Sequence, residues 1–116
     1  MIEIIVKNFL ESKLSVPVLM ERSNDSSVSG FVIIEKTGGG QENHIPSAML
    51  TIQSYENSMQ KAAELNEEVK HWMLDGMEGL ITLNEVAQVQ LNSDYNYTDT
   101  TTKEYRYQAV YDIIHY

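Results

Sequence analysis

Few side chains in this sequence are of a type that does chemistry, and fewer are spaced to do it together. The three histidines, His44, His71 and His115, are the candidate metal ligands and general bases. No two of them stand three or four residues apart, the spacing that sets two ligands on one helix face. His71 has Asp75 and Glu78 nearby, so a small α+β enzyme or ligand-binding domain would use those three. The plainer reading weighs more. His71 stands beside Trp72 near the end of a predicted helix, where a cation favours the negative end of the dipole, and no further catalytic partner accompanies it. His44 falls in a polar loop, and His115 reads as a face residue on a strand. The triplet Gly38, Gly39, Gly40 would cradle a phosphate only ahead of a helix N-terminus; Pro46 and a strand follow instead, so it reads as a hairpin turn. With no cysteine there is no disulfide, thiolate metal site or cysteine nucleophile. No nucleophile elbow, P-loop, zinc-protease or dinucleotide signature occurs. The expectation is a protein that is not an enzyme and holds no metal and no cofactor.

Tyrosine is the informative residue type. Five of the seven, Tyr95, Tyr97, Tyr105, Tyr107 and Tyr111, fall between positions 95 and 111. A phenol joins a large apolar face to a polar tip, which suits half-buried sheet faces and the centres of protein interfaces alike. For Tyr105, Tyr107 and Tyr111 cross-strand stacking within a sheet competes evenly with an interface role. Tyr95 and Tyr97 lie on a polar stretch with no core pattern, so contact with another chain is the better reading there. Met59, Met73 and Met77 read as gap-fillers of the core.

Those residues must be positioned by elements that the hydrophobic periods predict. Ile2, Ile5, Val6, Phe9, Leu10 and Leu14 give an amphipathic helix that Pro17 ends. Val16 to Arg22 is a short first strand, with Pro17 tolerated only at a sheet edge. Ser23 to Ser29 is a turn-forming loop, and Phe31 to Ile34 is a central strand, covered on both faces, that the glycine triplet breaks. Ala48 to Tyr55 alternates as a half-buried strand, setting Met49, Thr51, Gln53 and Tyr55 against Ala48, Leu50, Ile52 and Ser54. The first three strands would form an antiparallel meander. Asn57 is the predicted N-cap of a helix from Ser58 to Asp75, with Gly76 and Gly79 at its end. Leu80 to Asn84 is ambiguous between a helical turn and the start of a strand. Val86 to Leu91 and Glu104 to Tyr116 read as strands, joined by an exposed loop from Asn92 to Lys103. The fold class predicted over residues 1–116 is α+β, a mostly antiparallel sheet packed by two helices in the order helix, three strands, helix, two strands.

Composition bounds the function further. At 116 residues with 42% apolar content the chain makes one domain that hides roughly two-thirds of its unfolded surface. Eight basic against 17 acidic residues, a formal charge of −9, argue against binding to nucleic acid, because phosphate affinity rests on Lys and Arg. No apolar run approaches the ~18 residues a membrane span needs, so no membrane partner is expected.

The element pattern resembles the tail terminator proteins of long-tailed bacteriophages. The likeness is carried by the opening helix Ile2 to Leu14, the Val16, Pro17, Val18 lead into the first strand, and the strand Phe31 to Lys36. It continues through Pro46 to Tyr55 into Ser58 to Met73, and closes on Glu104 to Gln108 leading to Tyr111, Asp112 and Ile113. It covers most of the chain and rests on pattern and order, since the family has no diagnostic short motif. It implies a structural virion protein of the tail and neck, assembled in the host bacterial cytoplasm. Such a protein caps the tail tube as a ring of about six copies, ends elongation and presents a surface to the head. The implied partners are copies of itself, the major tail protein of the tube and the head-tail connector, with DNA passing through unbound. Six copies at −9 each carry −54, and an acidic channel lined by residues such as Glu42 or Asp99 would repel that DNA. Head-completion and neck adaptor proteins of the same viruses share the size and mixed fold and are the alternative. The interface candidates are Tyr95, Tyr97, Asp99, Lys103 and Arg106, in and beside the Asn92 to Lys103 loop.

Overall fold

The computed structural model describes residues 1–21, 30–42, 45–99, 101–102 and 104–116, with the backbone alone at positions 41 and 42. Helix α1, Ile2–Lys13, buries Ile2, Val6, Phe9 and Leu10 along one stripe and carries a Lys7 to Glu11 ion pair of 2.9 Å elsewhere. Leu14 leaves the helix in extended geometry, as the approach to Pro17 requires. Strand β1, Val18–Leu19, follows, then β2, Phe31–Glu42, and β3, Ile45–Glu56. Helix α2, Met59–Leu74, starts at Ser58, whose hydroxyl accepts the Lys61 amide at 3.2 Å. A 3₁₀ turn at Leu80–Thr82 leads into β4, Val86–Asn96, and β5, Tyr105–His115, closes the chain.

The strands form one sheet in the order β1-β2-β3-β5-β4, antiparallel except for the β1 to β2 pair. Both helices lie on one face. There Val32, Ile34, Leu50, Ile52, Tyr111 and Ile113 meet Val6 and Leu10 of α1 and Leu65, Val69 and Met73 of α2 in a single core. Polar groups lock α2 to the far side of that layer. Asn66 Nδ2 donates to Asp94 Oδ1 at 2.7 Å, and Lys70 Nζ lies 2.6 Å from both Asp94 Oδ2 and Glu67 Oε1. Chiefly the hydrogen bond to Asp94 holds the Lys70 ammonium above its ordinary pKa. Burial, reinforced by the charges of Asp94 and Glu67, raises the Tyr111 phenol far above its usual range.

The α+β class, the two helices and the order of elements agree with the sequence reading. Five details differ. The first strand is two residues long and pairs parallel to β2, so β1 to β3 is not an antiparallel meander. The glycine triplet does not end β2, which runs through it with a bulge between Lys36 and Gly38. Ser58 and not Asn57 caps α2, because its hydroxyl reaches the amide three residues on. Met73 is buried, whereas Met59 and Met77 are exposed on the outer side of α2 and on the turn after it. Strand β4 continues to Asn96, so the loop is far shorter than Asn92 to Lys103. The Ser23 to Ser29 loop and His44 lie outside the described residues.

Two predictions follow from the core and its joints. At Gly79 a Cβ would overlap the Asp75 carbonyl oxygen and come within 2.8 Å of the Trp72 carbonyl oxygen, while Gly76 has open space. Gly79→Ala should therefore cost about 1–3 kcal/mol in urea unfolding, and Gly76→Ala should stay within about 0.5 kcal/mol. The second concerns alkaline pH. With its folded pKa raised, Tyr111 contributes stability that is complete below the unfolded value of 10.0 and falls as pH rises above it, because the unfolded chain ionises first. Lys70 acts in the same direction above its own ordinary pKa. Unfolding free energy should drop between about pH 9 and pH 11, and drop less in Tyr111→Phe.

Candidate docking face

Among the described residues no helix packs on the face of the sheet turned away from α1 and α2, yet Ile33, Thr51 and Tyr55 on that face are buried, and its exposed aromatic part is the corner at Tyr95 and Tyr97. Alternation and register place Phe31 and Ile33 of β2, Gln53 and Tyr55 of β3, and Arg106 and Gln108 of β5 on this face. Tyr95 of β4 joins them opposite Gln108. Plain alternation from Leu91 would send Tyr95 to the helix side. The ladder, however, carries an extra residue, Asn92, between Leu91 and Ser93, and such a bulge reverses the phase of everything beyond it. It turns Tyr95 outward and Asp94 inward, where Asp94 meets Asn66 and Lys70.

These side chains form a closed circuit of contacts. Arg106 Nη1 donates to Tyr55 Oη at 2.8 Å, and Tyr55 Oη donates to Gln53 Oε1 at 2.8 Å. Gln53 Nε2 donates to Gln108 Oε1 at 3.1 Å, and Gln108 Nε2 donates to Tyr95 Oη. Tyr95 meets Tyr97 edge-on, with centroids 5.7 Å apart at 77°. The circuit ends at Arg106, whose guanidinium lies 4.4 Å over the Tyr97 ring and 5.5 Å from the Tyr55 ring, while its Nε donates to the Tyr97 carbonyl at 3.1 Å. Phe31 stacks on Tyr55 at 4.6 Å and extends the apolar margin. The arrangement holds two exposed rings and a cation in fixed positions, with Tyr97 49% and Tyr95 39% accessible.

Of the five interface candidates, Tyr95, Tyr97 and Arg106 come together here. Asp99 does not join them. It closes the β4–β5 turn, its Oδ1 accepting the Thr101 amide at 2.9 Å and the Thr102 amide at 3.4 Å. Those bonds, the one from Thr101 foremost, hold its carboxyl below the ordinary carboxylate range. Lys103 lies outside the described residues, and the same holds for the side chain of Glu42. Sequence reasoning missed Tyr55, Gln53 and Gln108; their period-two spacing on two predicted strands was visible, but the pairing that brings them together was not. The trio weighed as an enzyme site also meets. His71 Nδ1 lies 3.5 Å from Asp75 Oδ2, and its Nε2 lies 3.7 Å from Glu78 Oε2, at the exposed end of α2. The two carboxylates flank opposite ring nitrogens, and the other Asp75 oxygen accepts the Met77 amide at 2.9 Å. The cluster thus ties the helix end to the turn after it.

The chain matches no model of a known protein family, and no curated protein matches its sequence.

Arg106 is the hub of the circuit, so its removal should be felt twice. Arg106→Ala should cost about 1–2 kcal/mol by removing one hydrogen bond to Tyr55 Oη and the cation over the Tyr97 ring. A double-mutant cycle with Tyr97→Leu should return a coupling of about 0.5–1 kcal/mol; additive losses would mean that the stacking contributes nothing.

Proposed function

We propose that this protein is a structural subunit that docks to copies of itself and to a tail tube, forming a ring that ends tail elongation and offers a surface for the head. The observation that carries the reading is the exposed corner of Tyr95 and Tyr97, held in place with Arg106 on the sheet face away from the helices. Tyrosine and arginine held in place are the residue types that dominate binding energy at protein interfaces, because little side-chain entropy remains to be lost on docking. The shape agrees. The molecule measures 45 × 24 × 23 Å, with the β2–β3 and β4–β5 hairpins at opposite ends of the sheet. An elongated subunit with different ends favours head-to-tail contacts, and these close into rings when the rotation per copy allows. The formal charge of −9 per copy suits a channel that DNA traverses without binding. The specific assignment to the tail tube rests on the resemblance in element order and pattern.

Deleting the gene from the phage or prophage that encodes it should give tails of uncontrolled length under the electron microscope. Purified protein mixed with the major tail protein should add a ring of defined stoichiometry at one end of each tube. Tails of normal length beside unjoined heads would instead assign the protein to head completion or the neck.

A further inference from the structure

An imidazole and two carboxylates meet where α2 gives way to the turn after it. His71 and Asp75 stand four residues apart on one face at the end of the helix. Glu78 comes back to them from the turn, because the Gly79 amide donates to the Asp75 carbonyl oxygen at 2.6 Å and folds the chain there. One imidazole nitrogen and one oxygen from each carboxylate then lie within 4.8 Å of one another. We infer that these three side chains bind a divalent transition-metal ion of the zinc type, which clips the end of α2 to the turn that follows. The inference is independent of the assembly reading above.

Three features point to a cation of that class. Charge is the first. The two carboxylates lie close together, and among the described residues no lysine or arginine forms an ion pair with either; their basic neighbour is His71. They also sit at the C-terminal end of a 16-residue helix, where the dipole favours positive charge. Geometry is the second. Two ligands bound to one tetrahedral ion at about 2.1 Å stand about 3.4 Å apart. His71 Nδ1 and Asp75 Oδ2 are already 3.5 Å apart, and Glu78, whose side chain is 63% accessible, is free to turn from Nε2 and supply the third ligand. The other Asp75 oxygen accepts the Met77 amide at 2.9 Å, an outer bond that holds the carboxylate in its orientation. Ligand chemistry is the third. Imidazole suits zinc, copper and nickel, whereas magnesium and calcium take oxygen. No second histidine is needed, so the wide spacing of the three histidines along the sequence does not weaken the site. Its exposure leaves the remaining coordination positions to water.

Zinc chloride titrated into the full chain in a calorimeter should reveal one site per molecule. His71→Asn should weaken it by at least about tenfold, and Glu78→Gln should weaken it by a smaller factor. Neither residue belongs to the core, so both variants should fold as the wild type does. Excess zinc should raise the melting temperature of the wild type and leave that of His71→Asn where it was. His115→Asn should bind as the wild type does, which separates this site from zinc held by another histidine. Magnesium at the same concentration should produce no shift. Unchanged affinity in His71→Asn, loss of binding in His115→Asn, an equal response to magnesium, or no binding at millimolar zinc would each overturn the site. Wild-type protein that binds zinc but forms no ring, alone or with tube protein, would overturn the assembly reading and leave the metal site standing.

Discussion

Two helices can cover one face of a five-stranded sheet and no more. The rest of this structure follows from that limit. The apolar residues of α1 and α2 are spent on Val32, Ile34, Leu50, Ile52, Tyr111 and Ile113, and the opposite face must be stabilised by its own side chains. It does so with long polar and aromatic groups lying flat along the strands. Arg106, Tyr55, Gln53, Gln108 and Tyr95 satisfy one another's hydrogen bonds while their carbon skeletons shield the backbone. A face built this way holds its side chains in place through contacts within the chain.

The Asn92 bulge makes both faces of β4 work. Without the extra residue, Asp94 would point to solvent and Tyr95 toward α2. With it, the one carboxylate of the strand turns inward, to Asn66 and Lys70, and the tyrosine joins the open face. A single inserted residue therefore serves the helix–sheet joint and the candidate docking corner together, since one phase change acts on two successive side chains. Removing it would be expected to damage both.

Much of this was legible in the sequence, and what was not has identifiable causes. The stripe of Ile2, Val6, Phe9 and Leu10 and the alternation of Ala48 to Tyr55 are periodic signals long enough to declare their elements, and they place the core face correctly. The strand through Gly38 to Gly40 was hidden because glycine weakens a strand locally, whereas here the pairing of Gly38 to Gly40 with Met49, Ala48 and Ser47 overrides that preference. The length of β4 was hidden by its polar composition: one face lies in solvent beyond Leu91, so no apolar alternation marks Ser93 to Asn96. The parallel pairing of β1 rests on two residues, Val18 and Leu19, meeting Val32 and Ile33 further along the chain, which no local pattern encodes. The docking corner was half legible. Tyrosine enrichment pointed to Tyr95 and Tyr97, but their meeting with Tyr55, some forty residues earlier in the chain, depends on strand order.

Sheet edges bear on how such a subunit associates. An exposed edge invites pairing with any other strand, and proteins blunt it with proline, bulges or inward charges. At one edge here β1 is two residues long and preceded by Pro17, whose nitrogen carries no hydrogen to donate; only its carbonyl takes part, accepting the Val32 amide at 2.9 Å. At the other edge β4 is long, but two bulges interrupt its ladder and Asp94 turns inward to the Lys70 ion pair. β1 covers only Val32 and Ile33, so among the described residues β2 has no strand beside it on that first side from Ile34 onward, and there the bulge between Lys36 and Gly38 is the device that interrupts a straight run.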